Sequence, residues 1–209
     1  MFITFEGIEG SGKSTQIQML KEFFEKKSLK AFFTKEPGSS EIGKEIRSIL
    51  LNKENKIYPQ TEIFLIFADR VQHVQEIIKP NLNEGKIVVS DRYYDSSVAY
   101  QGQREGISKI EIYELIENLD LPTPDITFLL DLPANVGLKR AKNRASLDRF
   151  ESEEISFHEG VRQNYLDLQE QNLERIVKID ATQSPNEIFS NIIKKIKIES
   201  VSYTHLTLP

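Results

Sequence analysis

Residues 7–14 read Gly-Ile-Glu-Gly-Ser-Gly-Lys-Ser and match G-x-x-x-x-G-K-[ST] at every fixed position, with Thr15 next. That spacing suits the holding of a nucleoside triphosphate. Gly7, Gly10 and Gly12 let the backbone take conformations a side chain would block, so N–H groups along the run from Gly7 through Ile8, Glu9 and Ser11 to Thr15 can turn onto phosphate oxygens. A helix starting at the end of the loop adds its N-terminal N–H groups and dipole to the same anion. Lys13 can reach the β- and γ-phosphates, and Ser14 can place its hydroxyl on Mg²⁺. Further along, Asp91-Arg92-Tyr93 follows an apolar run. An aspartate at such a strand end can hold Mg²⁺ through water or orient an acceptor, and the arginine can pair bidentately with a second phosphate. Asp-Arg is also a common surface ion pair, so its meaning depends on where the fold puts it.

The flanking segments supply the required context. Ile3, Thr4 and Phe5 suit a buried strand, and residues 15–24 have helical periodicity. Residues 31–34 read as a short strand ending at the turn signal Pro37-Gly38. Residues 40–51 read as a helix with Ile42, Ile46, Ile49 and Leu50 on one face, and residues 61–78 as a longer, very apolar helix stopped near Pro80. Residues 87–90 and 126–130 are strands of the fully buried type. Helices over 110–119, from about 134, over 157–173 and over 185–198, with a last strand at 176–179, complete the alternation. Strands separated by helices imply parallel pairing with right-handed crossovers. The predicted fold is α/β: a three-layer sandwich of the P-loop NTPase type, with a parallel sheet of about five strands, helices on both faces, and a short lid at about 140–154. Ligands of such sheets bind beyond the carboxyl ends of the strands. Glu9, Glu36, Asp91 and Arg92 stand at those ends.

The chain has 209 residues, 39% hydrophobic and 28% charged, which fits one globular core. Its formal net charge of −5 argues against general nucleic-acid or anionic-membrane binding, which needs clustered Lys and Arg. The absence of cysteine excludes disulfides, thiolate metal sites and a cysteine nucleophile. Met1 leads straight into the first strand without a charged leader, and no apolar run approaches a membrane span, so the reading is cytoplasmic. No repeat or linker divides residues 1–198, which read as one domain. Residues 201–209 abruptly lose all Asp, Glu, Lys and Arg. They read as a non-native junction or disordered tail rather than a terminal strand, and are set aside.

The loop motif alone leaves switch GTPases, motor ATPases and small-molecule kinases open. A guanine-reading N-K-x-D is absent, and Asp91-Arg92-Tyr93 stands where a GTPase would carry D-x-x-G. Over residues 1 to about 198 the chain resembles thymidylate kinases of the bacterial type. The resemblance rests on residues 5–15, Glu36-Pro37-Gly38, Ala68-Asp69-Arg70, residues 91–102 ending in Ala-Tyr-Gln-Gly, Pro124-Asp125, Leu130-Asp131-Leu132-Pro133, and residues 144–151 with their Leu-Asp-Arg lid. It implies transfer of the γ-phosphoryl group of ATP to dTMP, with Mg²⁺, by a homodimer.

Phosphoryl transfer requires positioning and charge neutralisation more than covalent help. Lys13, the loop amides and Mg²⁺ on Ser14 and Asp91 would hold the donor, and Arg92 the acceptor phosphate. The family pattern offers Arg47 as a second contact, although it reads equally as a solvated helix residue. Glu9, a carboxylate inside a phosphate loop, is unfavourable without a specific partner, and the resemblance places it on the acceptor's 3′-hydroxyl. At Gly10 some family members carry arginine. Here the charge would come from the lid, which offers Arg140, Arg144 and Arg149, with Arg144 leading and Arg140 grouped with the ATP site. Otherwise the lid is only a solvated basic face. By resemblance Arg70 reads thymine, and Ser97, Tyr100, Gln101, Glu36 and Pro37 complete the dTMP site. Phe67 is the choice for stacking on the base, although core packing explains it nearly as well. Lys35 stands where bacterial relatives usually show arginine. The competing readings are a deoxynucleoside or dUMP kinase, with Glu36 as its base, and a non-catalytic nucleotide-binding subunit, which should show damage at Lys13, Asp91, Arg92 or the lid.

Overall fold

The computed structural model describes residues 1–142 and 148–196. Strands β1 (Phe2–Glu6), β2 (Ala31–Lys35), β3 (Ile87–Asp91), β4 (Ile126–Asp131) and β5 (Ile176–Asp180) form one parallel sheet in the order β2-β3-β1-β4-β5. The three inner strands are nearly continuous apolar runs because both their faces are covered, whereas the edge strands β2 and β5 are only partly buried. Between them lie α1 (Lys13–Lys26), α2 (Glu41–Leu51), α3 (Pro59–His73), α4 (Lys79–Asn83), α5 (Tyr94–Tyr100), α6 (Lys109–Asn118), α7 (Ala134–Lys142), α8 (Ile155–Gln171) and α9 (Pro185–Lys195). Ser40 caps α2 by accepting from the Gly43 N–H, and capping boxes of Ser108 with Glu111 and Ser184 with Glu187 start α6 and α9.

Strand alternation sorts the neighbours. Thr4 and Glu6 of β1 point toward α5 and α8, where Glu6 meets Ser96 and Tyr165. Ile3 lies in register with Val89 and Phe33, and Phe33 packs against Phe24 of α1 on the opposite face. Phe5 and Lys35 are both level with Asp91, so β1, β2 and β3 end together. Pairing runs one residue further, with the Glu36 N–H donating to Asp91 O and the Arg92 N–H to Phe5 O. Glu36, Arg92 and the loop after Glu6 therefore emerge along one edge.

Two features differ from the sequence expectation. Pro80 does not stop the long helix. After His73 the chain widens into a π turn (Val74–Ile78) and continues as α4 with Pro80 in its first turn. A π turn displaces the carbonyl against which a proline ring would clash, so the helix tolerates it. The segment after Tyr93 was not expected as a helix, yet it forms α5. Every residue of α5 is buried, Asp95, Ser96 and Ser97 included, so it carries no amphipathic stripe to read. The expected tail at 201–209 lies outside the described residues.

Candidate active site

The donor end is the loop between β1 and α1. Lys13 opens α1 and folds back, its Nζ donating to Gly7 O at 2.9 Å, Ile8 O at 3.1 Å and Ser11 Oγ at 3.3 Å. Burial and the nearby Arg92 pull the lysine below its ordinary pKa, opposed by Asp91, Glu9 and Glu6. Ser14 Oγ donates to Asp91 Oδ2 at 3.4 Å, joining the loop to the end of β3. Among the described residues no cluster of three or more His, Cys, Asp or Glu could cage a metal unaided. A hydroxyl beside one carboxylate is a hard-oxygen pair that fits Mg²⁺, an ion that keeps waters and takes substrate phosphates as its remaining ligands.

The acceptor end is built around Arg92. Its backbone sits at φ 72°, a left-handed conformation unusual for a residue with a side chain. Nη1 donates to Gly7 O at 3.1 Å, Ser96 Oγ at 3.2 Å and Tyr165 Oη at 3.3 Å. Nη2 donates to Glu9 Oε1 at 3.0 Å and Tyr100 Oη at 3.1 Å. Tyr100 Oη in turn donates to Glu9 Oε1 at 2.6 Å. The other Glu9 oxygen is 3.2 Å from Nδ1 of the buried His158. Burial would raise the Glu9 carboxyl, but His158, Arg92, Lys13 and Tyr100 pull it down to about 2. The loop carboxylate thus has the partners its position demands.

Arg70 lies deeper, on α3. Its Nε donates to Glu36 Oε2 at 2.8 Å, Nη1 to Ser97 Oγ at 2.8 Å and Nη2 to Tyr93 O at 3.1 Å. His73 Nδ1 stands 2.8 Å from the second Glu36 oxygen. Burial pushes the Glu36 carboxyl up, yet Arg70 and His73 hold it below its ordinary value. Asp69 Oδ1 accepts the Gly38 N–H at 3.0 Å, and Arg47 Nη1 donates to Pro37 O at 2.8 Å, so α2 and α3 both grip the turn after β2.

One cleft joins these parts. Gly10, Gly12, Lys13, Ser14 and Asp91 line its donor side; Glu9, Arg47, Arg92 and Tyr100 its middle; Glu36, Pro37, Arg70, Ser97 and Gln101 its far side, with Lys35 also present. Phe67 is not among the lining residues. On a helix, residues 66 and 67 lie about 100° apart and flank residue 70 on opposite sides. Ile66 accordingly lines the cleft, while Phe67 is core with the Arg70 guanidinium 4.8 Å from its ring centre. Phe150, Asp148 and Glu151 of the lid line the cleft as well.

Two of the three lid arginines, Arg149 and Arg140, are engaged elsewhere. Arg149 Nη2 donates to buried Glu62 at 2.7 Å and its Nε to Leu50 O at 2.7 Å, so this residue ties the lid to α2 and α3 instead of entering the cleft. Arg140 Nη1 donates to Ala181 O at 2.9 Å. Arg144 lies outside the described residues. At Gly10, with φ 71°, an added Cβ would sit 2.0 Å from the Gly137 carbonyl oxygen. The loop rests directly on the backbone of α7, which leaves no space for an arginine there.

Sequence reasoning missed Glu6, Ser96, Tyr165, His158 and Phe150. Glu6, an acid closing an apolar strand, was the one visible signal. The others sit at ordinary helical or loop positions, and only tertiary contact reveals them.

A phosphate loop at the end of β1, a hydroxyl–carboxylate pair bridging to β3 and a second cationic end in the same cleft define a P-loop phosphotransferase. The thymidylate kinase family model matches residues 5–192. The chain is 42% identical over 196 residues to the thymidylate kinase of Kosmotoga olearia, covering 93% of this chain and 94% of that one. It is 45% identical over 205 residues to that of Maridesulfovibrio salexigens, covering 94% of each. The crystal structure of thymidylate kinase from Ehrlichia chaffeensis superposes with a TM-score of 0.75 at 32% identity, covering 93% of this chain and 96% of that one. The chain belongs to the thymidylate kinase family.

Proposed function

We propose that this enzyme transfers the γ-phosphoryl group of ATP to the 5′-phosphate of dTMP, giving dTDP and ADP on the way to dTTP. The observation that carries this reading is that Lys13, Glu9 and Arg92 line one cleft, with both cations anchored on Gly7 O and Arg92 paired to Glu9. That is an arrangement for two phosphates and a sugar hydroxyl. Lys13 and the loop amides cradle the donor. Ser14 and Asp91 would hold Mg²⁺, which when bound neutralises charge on the donor phosphates. Arg92, with Arg47 beside Pro37, receives the acceptor phosphate, whose oxygen attacks the γ-phosphorus in line. Glu9, ionised and fixed by Arg92 and Tyr100, accepts from the 3′-hydroxyl. Arg70, braced by Glu36, presents its guanidinium to the base, with Ser97 and Gln101 alongside. Charge on the transferring group falls to Lys13, Arg92 and Mg²⁺, with Arg144 of the lid as the further cation.

A nucleoside kinase would need a free base near the hydroxyl. Both Glu36 oxygens are engaged by Arg70 and His73, so Glu36 does not offer one. Homodimer formation is supported by apolar side chains left bare on adjacent helices, Ile42 (56% exposed) and Ile49 (45%) on α2 and Phe64 (64%) on α3. Cytoplasmic residence follows from the substrates proposed, and among the described residues no helix is long and apolar enough to cross a membrane. The test of the site assignment is Arg92→Ala. It should raise KM for dTMP by about a hundredfold, the worth of a charge-assisted pair, and leave KM for ATP nearly unchanged. Equal losses for both substrates would remove Arg92 from the acceptor site.

A further inference from the structure

Glu6 closes β1 at 1% exposure, and nothing in the phosphoryl-transfer reading uses it. Its Oε1 accepts the Tyr93 N–H at 2.8 Å, and its Oε2 accepts from Ser96 Oγ at 2.6 Å and Tyr165 Oη at 2.7 Å. Those two hydroxyl oxygens are the ones that take Arg92 Nη1. A hydroxyl has a single proton to give. When both protons go to an ionised Glu6, the remaining lone pairs of both oxygens are free for the guanidinium. The two hydroxyls also lie within hydrogen-bond distance of each other, at 2.8 Å, so the carboxylate and this mutual contact compete for the same two protons. The Tyr93 N–H bond fixes the chain immediately after Arg92, whose positive φ needs such support.

We propose that Glu6 is a positioning residue for Arg92: its carboxylate collects the protons of Ser96 and Tyr165, so that both hydroxyls accept from Nη1 and aim the guanidinium into the acceptor end of the cleft. This rests on the reading of Arg92 as the clamp on the acceptor phosphate. The dependence runs both ways. Burial and the neighbouring Asp95 push the Glu6 carboxyl up to about 7 against the pull of Arg92, Ser96 and Tyr165, so Arg92 favours the ionised form that serves it.

Glu6→Gln keeps the shape and reverses the proton count. An amide NH₂ facing the hydroxyls would turn their protons onto Arg92, and one facing Tyr93 would set donor against donor. In the full enzyme, E6Q should raise KM for dTMP by about tenfold and leave KM for ATP within about twofold. Tyr165→Phe removes one acceptor. Tyr165 does not line the cleft, so a smaller rise in KM for dTMP alone in Y165F reports a change in positioning and not a lost substrate contact. The effects of E6Q and Y165F should be less than multiplicative when combined. If E6Q fails to fold, the double variant S96A/Y165F decides, and an unchanged KM for dTMP there overturns the proposal. So does a folded E6Q that alters neither KM, or that raises both equally. Arg92→Ala separates the two layers. If it raises KM for dTMP while E6Q and Y165F do not, only the role of Glu6 falls; if it leaves KM for dTMP unchanged, the clamp reading falls and the role of Glu6 with it.

Discussion

Glu9 shows how a single residue type can be judged before its contacts are known. A carboxylate among phosphate-binding amides demands partners, and the fold supplies the cations Arg92 and Lys13 with His158 and Tyr100 beside them, holding its pKa at about 2. Because that value is depressed from 4.5, ionised Glu9 stabilises the fold fully above about pH 5, and the contribution drains as pH falls toward 2. Comparison of urea denaturation of the wild type with Glu9→Gln should show the wild type losing about 2 kcal/mol more between pH 6 and pH 3. Parallel pH profiles would mean that Glu9 is not held in this way. On the chemical side, Glu9→Gln should narrow the preference for dTMP over a 3′-deoxy analogue, measured as a ratio of kcat/KM. At this scale the motif residues Lys13, Ser14, Asp91 and Arg92 were legible because their spacing carries the chemistry. The Phe67 position was not, because pattern alone does not resolve the one-residue rotation that puts Ile66 on the cleft.

At the scale of elements, the informative contact is between the phosphate loop and α7. Gly10 and Gly137 touch backbone to backbone, and a Cβ on Gly137 would lie 2.4 Å from Glu9 O. Gly10→Ala should therefore destabilise the fold by at least about 2 kcal/mol, combining overpacking with an unfavourable φ. Gly10→Arg should be inactive instead of restoring a lid defect, and an assay of G10R paired with R144A checks this. The lid has its own anchor. Arg149→Ala removes one of the cations that balance buried Glu62 and frees the turn from Leu50, so stability should fall by about 1–3 kcal/mol together with kcat. A loss of kcat with unaltered denaturation would instead place Arg149 on the transferring phosphoryl group. Alternation of strands and helices was readable from period and punctuation. Helix α5 was not, since burial on every side erases the amphipathic signal, and Pro80 misled because the π turn before it is a tertiary accommodation.

For the whole molecule, the parallel sheet was implied by alternation, but the order β2-β3-β1-β4-β5 is decided by packing and is what sets β1 beside β3 and so the loop beside Asp91. The bare apolar faces of α2 and α3 lead to a prediction at this scale. Ile49→Asp combined with Phe64→Asp should convert a dimer to a monomer in light scattering at micromolar concentration, and a wild type that is monomeric there would remove the interface. The central claim is that one cleft joins an ATP phosphoryl donor to a thymidine monophosphate acceptor. The most direct test is ADP release by the purified enzyme with ATP and Mg²⁺ against a panel of dTMP, dUMP, dCMP, dGMP, dAMP and thymidine. dTMP should have the highest kcat/KM, and thymidine, which gives Arg92 no phosphate, should not be turned over. Turnover of thymidine in preference to dTMP, or of another monophosphate as well as dTMP, would contradict that claim.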